Sequence, residues 1–509
     1  MFEKREGQTL DLDAICAFTA RGDTQMGKSN RQQTRRSLTT KVRHWIPTPF
    51  AAFPNEGNHH DQEGELMGGA ASKSARRISA DRAAALVRSG DWIDYGAGLA
   101  QPDAFDKALA QRIGGLRDVN IRGCLSTRAR AVVEADPGRE HVSFFNWHLG
   151  GYDRKQCDVG QQDYIPCNLG EIPDYYRRFI DPPDVMVVKT CPVDADGYFN
   201  FSAANLWHGA VASRAKVVIV EVDPALPYVH GIENGLHISQ VDYVIDGEGL
   251  PLTQLPNPAP TDADRAVARL IAGEIEDGAC LQIGIGAMPN AVCSLLMDSG
   301  VRNLGVHTEM LTDGIIDLYR AGVVTGSAKN LHPGKIVCSF GLGSQATYDA
   351  INDNPDISCQ PVDMTNLPHL IIQNDRLTAI NNTTQMDLQG QAASESNGHR
   401  HISGTGGQLQ FIRGAYASKG GKSFVCMSST YERNGDRRSR VVLNLTPGNI
   451  VTAPRSDMMF VVTEFGLVNL KGKSIPERAK AMISLAHPDF RDDLEREART
   501  NGLIPRSFV

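Results

Sequence analysis

The chain contains 509 residues, of which 41% are hydrophobic and 22% are charged, and its formal net charge is -7. A chain of this length exceeds one ordinary hydrophobic core, so we expect two domains. The acidic balance argues against a nucleic-acid binder, which normally has a basic face, although a local basic cluster could still bind an anion. No apolar run approaches the roughly 18 residues of a membrane-spanning helix.

The 10 cysteines are dispersed along the chain and form no CxxC pair. In a long chain this pattern is typical of reduced, mostly buried thiols rather than of a disulfide framework. It therefore predicts a cytoplasmic protein. The HExxH motif and the EF-hand loop are also absent, so we predict no metal site.

Residues 1–77 differ from the rest of the chain. They mix charged residues with Gln, Ser and Gly and show little hydrophobic periodicity. Such a segment cannot bury enough apolar surface to offset its ordering entropy, so we predict a largely disordered extension. The basic run 34–43 leaves a mitochondrial targeting peptide as an alternative, but acidic residues precede it and an apolar h-region is missing.

Ordered structure is predicted to begin at Ile78, where Ser79 or Asp81 could cap a helix. Apolar, β-branched runs then recur between helical stretches, at residues 185–188, 217–222 and 243–245. Short runs of this kind suit buried parallel strands that are joined by crossover helices. We therefore assign residues 78–255 to a first α/β domain, which ends in the proline-rich linker 250–261.

A second α/β pattern follows the linker, and we assign residues 256–509 to it. A helix is predicted over residues 262–275. Strands are predicted at residues 279–283, 304–307, 334–340, 370–372, 423–427, 441–445 and 458–463. Alternating helices and strands in both halves predict two open α/β domains in tandem.

A glycine-rich turn, Gly284-Ile-Gly-Ala-Met-Pro-Asn, lies between a predicted strand and a predicted helix. Glycines at such a turn let a ligand approach backbone amides, which attract negative charge. The dinucleotide pattern GxGxxG is not completed, because Pro289 and Asn290 occupy the region of its third glycine. A purely structural tight turn is the alternative interpretation.

Two glutamates follow predicted strands directly. Glu309 ends the run Gly305-Val-His-Thr-Glu, and Glu464 ends Val461-Val-Thr-Glu. Doubly wound folds bind ligands at the carboxyl ends of their strands, so either carboxylate could lie in a site. The alternative is a solvated loop glutamate, which is the usual environment of this residue type.

A second glycine-rich segment, Ser403-Gly-Thr-Gly-Gly-Gln, could present backbone N–H groups that stabilise an oxyanion. Lys419 and Lys422 follow it and could pair with phosphates. A glycine-rich surface loop with two surface lysines is the alternative interpretation.

Taken in this order, these segments resemble the acetyl-CoA hydrolase/transferase family, and most closely its 4-hydroxybutyrate or butyrate coenzyme A transferases. The resemblance runs from about residue 79 to residue 500. It is carried by motifs at residues 192–201, 220–223, 284–289, 305–310, 386–391, 404–408, 461–466 and 486–491. The resemblance implies two tandem open α/β domains of the coenzyme A transferase type, preceded by the disordered arm.

The resemblance also implies roles for individual residues. Glu309 would be the nucleophile, and Lys422 would contact a coenzyme A phosphate. The residues implied for coenzyme A binding and the oxyanion hole are Gly284, Ile285, Gly286, Ala287, Met288, Gly406 and Gly407. Gln410 and the pair Asn381-Asn382 replace the residues usual in the family, which places the substrate fit in question rather than the reaction.

The implied reaction transfers coenzyme A from a short-chain acyl-CoA to acetate, butyrate or 4-hydroxybutyrate through a glutamyl-CoA thioester. Coenzyme A would be a co-substrate, with no tightly bound cofactor, no nucleic acid and no membrane partner, and the enzyme would be a homo-oligomer. Two alternatives stay open. One is an acyl-CoA hydrolase that uses water as the acceptor, and the other is a non-catalytic acyl-CoA-binding sensor.

Overall fold

The computed structural model of the chain describes residues 75–505 and residue 507. The predicted disordered arm therefore lies outside the described residues, apart from its last three positions. Among these, Arg76 and Arg77 form a strand that pairs with the first sheet, so the predicted start of ordered structure at residue 78 is too late. No helix in the described range is long and apolar enough to cross a membrane.

The first half of the described chain forms one parallel sheet. Its elements are β1 (Arg76–Arg77), α1 (Ala80–Ala84), β2 (Trp92–Ala97), α2 (Ala104–Arg112), β3 (Val119–Cys124), α3 (Ala131–Glu134), β4 (Val142–Asn146), α4 (Gly151–Asp158), β5 (Gln162–Tyr164), α5 (Ile172–Arg178), β6 (Val185–Thr190), β7 (Tyr198–Asn200), α6 (His208–Ala212), β8 (Val217–Val222), β9 (Gly235–His237) and β10 (Tyr243–Asp246). Eight strands pair in the order β1-β10-β8-β6-β2-β3-β4-β5, and all neighbours are parallel. Strands β7 and β9 form a separate antiparallel pair.

The second half forms another eight-stranded sheet. Its elements are α7 (Asp262–Ala272), β11 (Cys280–Ile283), α8 (Ala287–Asp298), β12 (Gly305–His307), β13 (Met310–Leu311), α9 (Asp313–Arg320), β14 (Ile336–Cys338), β15 (Phe340–Gly341), α10 (Gln345–Ile351), β16 (Ile357–Cys359), α11 (Val362–Asn366), α12 (Pro368–Ile371), β17 (Leu377–Asn382), β18 (Gln385–Asp387), β19 (Ala392–Ala393), β20 (Ser396–Asn397), β21 (Arg400–His401), α13 (Gln408–Ala417), β22 (Lys422–Cys426), β23 (Thr430–Arg433), β24 (Asp436–Ser439), β25 (Val441–Val442), β26 (Phe460–Thr463), β27 (Gly466–Asn469), α14 (Ile475–Leu485) and α15 (Pro488–Thr500). The strand order is β16-β14-β12-β11-β17-β22-β26-β27. Only the last pair, β26 with β27, is antiparallel.

These two sheets confirm the predicted α/β class. Strand β6 is buried along its whole length, as expected for a β-branched run in a parallel sheet with both faces covered. Helix α1 is capped by the Ser79 hydroxyl, which accepts a hydrogen bond from the Arg82 N–H. Ser79 was one of the two predicted capping residues.

One predicted strand is wrong. The apolar residues 370–372 were assigned to a strand, but the structure places Leu370 and Ile371 in the short helix α12, which begins at Pro368. Proline is favoured in the first turn of a helix, and a short apolar run does not by itself distinguish a buried helix from a buried strand. The strand of this region is β17, which begins six residues further on, at Leu377.

A common hydrophobic core joins the two halves. It contains Val188 and Val220 from the first sheet together with Leu281 and Val306 from the second. The described residues from 75 onward accordingly form one compact unit. Residues 247–261 between the sheets contain no helix or strand, and we retain residue 255 within this segment as the proposed domain boundary.

The nine cysteines in the described part of the chain are all free, and eight of them are buried. This agrees with the prediction of reduced thiols. In a parallel sheet the carboxyl ends of all strands lie at one edge, so the segments that follow β11, β12 and β17 come together there.

Candidate active site

Glu309 lies at the carboxyl edge of the second sheet, two residues after β12. Its backbone carbonyl accepts hydrogen bonds from the N–H groups of Ser339 (2.9 Å) and Phe340 (3.2 Å), which follow the neighbouring strand β14. These bonds hold the Glu309 backbone in place. The side chain is half-buried and lines a cavity of about 280 Å³.

Both predicted glycine segments reach this cavity. Gly284 and Ile285, in the turn after β11, line one wall. Residues 403–407, which we call the glycine loop, also line the cavity. A Cβ atom at Gly407 would lie 2.4 Å from Glu309 Oε2, so only a glycine allows the backbone to approach the carboxylate this closely. The structure therefore brings Glu309 together with both segments.

Hydrogen bonds and burial shift the pKa of the Glu309 carboxyl in opposite directions. Burial raises the pKa of Glu309 to about 7, while hydrogen bonds from the Asn366 side chain and the Gly407 N–H oppose this increase. Removing a carboxylate from water disfavours its charged form, whereas donors that point at it favour that form. At neutral pH the group is consequently ionised in a large fraction of the molecules.

Asn366 is a site residue that the sequence analysis missed. Its Nδ2 donates to Glu309 Oε2 over 2.5 Å. Its Oδ1 accepts from the Thr365 hydroxyl (3.0 Å), and that hydroxyl is hydrogen bonded to Ser339. Because Oδ1 is occupied by a donor, the amide is oriented with its NH₂ group toward Glu309. Asn366 ends the short helix α11 and stands in no recognisable motif, so no sequence signal identified it.

The remaining residues of the first glycine segment lie at the start of a helix. Gly286 precedes α8, and Ala287 and Met288 form its first turn. Met288 is buried, with its Sδ 3.9 Å from Cys426 Sγ. These three residues do not line the cavity, but the amino end of α8 adjoins it, and free amides at a helix start favour anions.

The structure does not bring Lys422 into the site. Lys422 begins β22, so it lies at the opposite edge of the sheet from the carboxyl ends. Its Nζ contacts carboxylate oxygens of Glu274 and Glu276, each at 3.2 Å. The prediction that Lys422 contacts a phosphate is therefore not supported. Lys419 does not line the cavity either. Its side chain is exposed, and its Nζ lies 3.7 Å from Asp375 Oδ2.

Glu464, the alternative carboxylate, has a structural role. Its two oxygens accept hydrogen bonds from the Ser429 N–H (2.8 Å) and hydroxyl (2.6 Å). It is not among the residues that line the cavity. Of the two strand-end glutamates, only Glu309 faces the glycine segments.

The first half of the chain completes the cavity. Leu125, His148 and Leu169 form part of its wall. The glycine loop is docked onto this half, because the Leu169 N–H donates to the Gly406 carbonyl (3.1 Å) and the Thr405 N–H donates to the Tyr164 hydroxyl (3.3 Å). The site is thus assembled from both halves of the chain.

Three residues that the resemblance marked as unusual, Asn381, Asn382 and Gln410, lie at or beside the site. Asn381 and Asn382 line the cavity, and Asn381 donates to the buried Gln282 over 3.0 Å. Gln410 lies just beyond the cavity and accepts a hydrogen bond from the Gly170 N–H (3.0 Å). Gln410 therefore helps to dock the glycine loop onto the first half.

The arrangement provides a partly buried carboxylate beside backbone amides. Such a carboxylate can attack an electrophilic carbonyl carbon, and the amides can stabilise the oxyanion that results. In the described part of the chain, no cluster of three or more His, Cys, Asp or Glu side chains is placed to hold a metal ion.

Comparison with known proteins identifies similar sequences. The family model for the acetyl-CoA hydrolase/transferase N-terminal domain matches residues 71–256, and the model for the corresponding C-terminal domain matches residues 343–498. The chain is 43% identical over 432 residues to the butyryl-CoA:acetate CoA-transferase of Anaerostipes caccae. This match covers 84% of the present chain and 97% of that protein. It is 41% identical to the 4-hydroxybutyrate coenzyme A transferase of Clostridium kluyveri, over 69% of this chain and 80% of the relative.

A solved structure also resembles this fold closely. The crystal structure of RipA from Yersinia pestis superposes with a TM-score of 0.76 at 36% sequence identity, and the match covers 84% of this chain and 98% of RipA. The similarity therefore extends over nearly the whole of that relative.

Proposed function

Because the chain belongs to the acetyl-CoA hydrolase/transferase family, we propose that it transfers coenzyme A from a short-chain acyl-CoA to an acceptor carboxylate, with Glu309 as the nucleophile. The observation that carries this proposal is the half-buried carboxylate of Glu309 beneath the Gly407 amide, in a cavity lined by both glycine segments.

The reaction begins with attack of a Glu309 oxygen on the thioester carbonyl. The C–S bond breaks, which leaves an acyl-glutamyl anhydride and coenzyme A thiolate. The thiolate then attacks the glutamyl carbonyl and releases the first carboxylate, so that a glutamyl-CoA thioester remains. A second carboxylate reverses these steps and departs as the new acyl-CoA. No proton is transferred in any of these steps, so an ionised carboxylate suffices as the nucleophile.

Backbone amides would stabilise each tetrahedral intermediate. The Gly407 N–H already donates to Glu309, so it is directed at the reacting carboxyl group. The turn at Gly284–Met288 is our proposed source of the second donor. Gly284 and Ile285 of this turn line the cavity, but the Gly284 N–H already donates to the Ile380 carbonyl (3.1 Å), so we assign the donor to the Ile285 N–H. Loss of one such donor typically lowers the rate by about 10²- to 10³-fold.

The structure favours an enzyme over a non-catalytic sensor. Among the described residues Glu309 has only amide hydrogen-bond donors and no cationic partner. Burial of an ionisable group without a counter-charge is unfavourable, and such groups are typical of reactive sites. A sensor that only binds acyl-CoA gains nothing from this arrangement.

The test is to trap the covalent intermediate. The protein is incubated with butyryl-CoA, treated with hydroxylamine or borohydride, and digested for mass analysis of the peptide that contains residue 309. We expect modification at Glu309 in the wild type. Glu309→Gln should abolish both modification and transfer, whereas the matched variant Glu464→Gln should retain both. Absence of any modification at Glu309 would support the sensor.

A second measurement separates transfer from hydrolysis. Loss of the thioester is followed with and without acetate, and transfer requires that the rate depend on acetate. An equal rate in both conditions would indicate an acyl-CoA hydrolase. The preferred acyl group among acetate, butyrate and 4-hydroxybutyrate, the cytoplasmic location and a homo-oligomeric state remain predictions.

A further inference from the structure

His148 contributes a polar ring to the cavity wall, two residues after β4. Its backbone carbonyl accepts a hydrogen bond from the Leu125 N–H (2.9 Å), which fixes this segment beside the cavity. The ring packs on the glycine loop. A Cβ atom at Gly404 would lie 2.9 Å from His148 Nδ1, and one at Gly406 would lie 3.5 Å from His148 Cε1 and 3.7 Å from Glu309 Oε1. The imidazole therefore lies close to the nucleophile.

The His148 imidazole is neutral and has unused hydrogen-bonding capacity. Neither ring nitrogen has a hydrogen-bond partner among the described residues, although the ring lines an open cavity. Burial, with a smaller contribution from Arg154, lowers the pKa of His148 to about 4. A neutral imidazole offers one N–H donor and one nitrogen acceptor, which suits a hydroxyl group that can both accept and donate.

The other side chains that line the cavity are uncharged apart from Glu309. Leu125, Leu169 and Phe340 are apolar, and the polar ones are hydroxyls or neutral amides, such as those of Asn381 and Gln282. Among the described residues that line the cavity, none is a lysine or an arginine, and Arg154 lies near His148 without lining it. A second carboxylate on the acyl chain would therefore lose its hydration without gaining a cation, which is strongly unfavourable.

We propose that His148 is a specificity-determining residue that hydrogen bonds a hydroxyl group on the acyl chain, so that the enzyme favours short hydroxyacyl groups over unsubstituted ones and excludes dicarboxylic acyl groups. This inference rests on the proposed function, because it assumes that the acyl group of the glutamyl anhydride occupies the cavity. An acyl chain bound to Glu309 extends into the space that the imidazole faces, because the ring and the carboxylate approach the same glycine loop.

The test compares three acceptors of similar length with acetyl-CoA as the donor. The values of kcat/KM for 4-hydroxybutyrate, butyrate and succinate are measured for the wild type, His148→Phe and His148→Asn. His369→Phe is the control, because His369 is exposed on α12, away from the cavity. The ratio of kcat/KM for 4-hydroxybutyrate to that for butyrate is taken on one sample, so it does not depend on the fraction of folded protein.

We expect the wild type to prefer 4-hydroxybutyrate to butyrate and to use succinate poorly. His148→Phe should lower the ratio about ten-fold, since one hydrogen bond to the hydroxyl is lost, and His148→Asn should restore part of it. An unchanged ratio in His148→Phe, or use of succinate as readily as butyrate, would overturn the proposal. In either case transfer to any of the three acceptors would leave the proposed function intact, whereas a wild type that transferred coenzyme A to none of them would contradict that function instead.

Discussion

At the scale of single residues, the site depends on how one carboxyl group is balanced between its charged and neutral forms. Burial raises the pKa of Glu309 to about 7, and the donors at Asn366 and Gly407 limit this increase. Asn366 is itself oriented by Thr365, so a residue that does not touch Glu309 sets the direction of its main hydrogen-bond donor. The pKa of the proposed nucleophile therefore depends on groups outside its own motif.

This balance predicts a pH dependence. If Glu309 is the nucleophile, as we propose, it must be ionised to react. The value of kcat/KM, which reports the free enzyme, should then rise with pH and level off above about pH 7. Asn366→Ala removes a donor that lowers the pKa, so the rise should move to higher pH, and transfer at pH 7 should fall by about ten-fold or more. Initial rates measured between about pH 5 and pH 9, on both sides of the expected midpoint of the profile, would show this shift.

The control for this pH profile is Asn501→Ala, on an exposed position after the last helix, which should leave the curve unchanged. If Asn366→Ala lowered the rate equally at every pH, Asn366 would hold the Glu309 side chain in position without setting its charge.

At the scale of elements, the hairpin β20–β21 and the glycine loop join the two halves over the site. Arg400 of β21 forms a two-point ion pair with Asp158 at the end of α4, with N···O distances of 2.6 and 2.5 Å. Thr405 and Gly406 add hydrogen bonds to Tyr164 and Leu169. The segment that carries the proposed oxyanion amide is therefore held from the first half.

Loosening this hairpin should change the fate of the glutamyl thioester. We expect Arg400→Ala to increase the rate of acetate-independent thioester loss, relative to the rate of transfer, by roughly two- to five-fold. Loss of the ion pair should let water reach the thioester, and the effect should be modest because an exposed ion pair contributes little to stability. The two rates are measured in parallel with and without acetate. Arg178→Ala is the matched control, since its ion pair with Asp174 stays within one helix. An identical ratio in both variants would contradict a role of the hairpin in excluding water.

At the scale of the whole molecule, two sheets share one core. Residues of both sheets belong to the same buried cluster, and the described residues from 75 onward form one compact unit. The segment between the sheets is tied to the second half, because the Tyr348 hydroxyl donates to the Thr253 carbonyl (2.6 Å) and the Leu255 N–H donates to the Gly343 carbonyl (3.1 Å). The two sheets are thus parts of one compact, commonly packed unit.

A shared core predicts cooperative unfolding. In differential scanning calorimetry the two halves should unfold in one transition, because separating them exposes apolar residues of both sheets. Far-ultraviolet circular dichroism and tryptophan fluorescence should report the same midpoint. Two resolved transitions would show that the halves are stable independently.

The sequence by itself determined the features that depend on neighbouring residues. Buried β-branched runs such as 185–188 and 217–222 identified strands. Glycine turns and strand-end carboxylates marked the two glycine segments, Glu309 and Glu464 as candidates, and the family resemblance selected Glu309. Such features can be predicted because backbone preferences and the period of the hydrophobic pattern depend on residues close together in sequence. In addition, parallel strands place their carboxyl ends at one edge of the sheet.

Only the tertiary structure decided which distant residues meet. Asn366 reaches Glu309 across 57 positions of sequence, and His148 reaches the glycine loop from the other half of the chain. Lys422 pairs with Glu274 and Glu276 instead of entering the site, although it follows the glycine loop closely in sequence. The physical reason is that side-chain contacts and burial are set by how the two sheets pack, and neither is encoded in the spacing of a single motif.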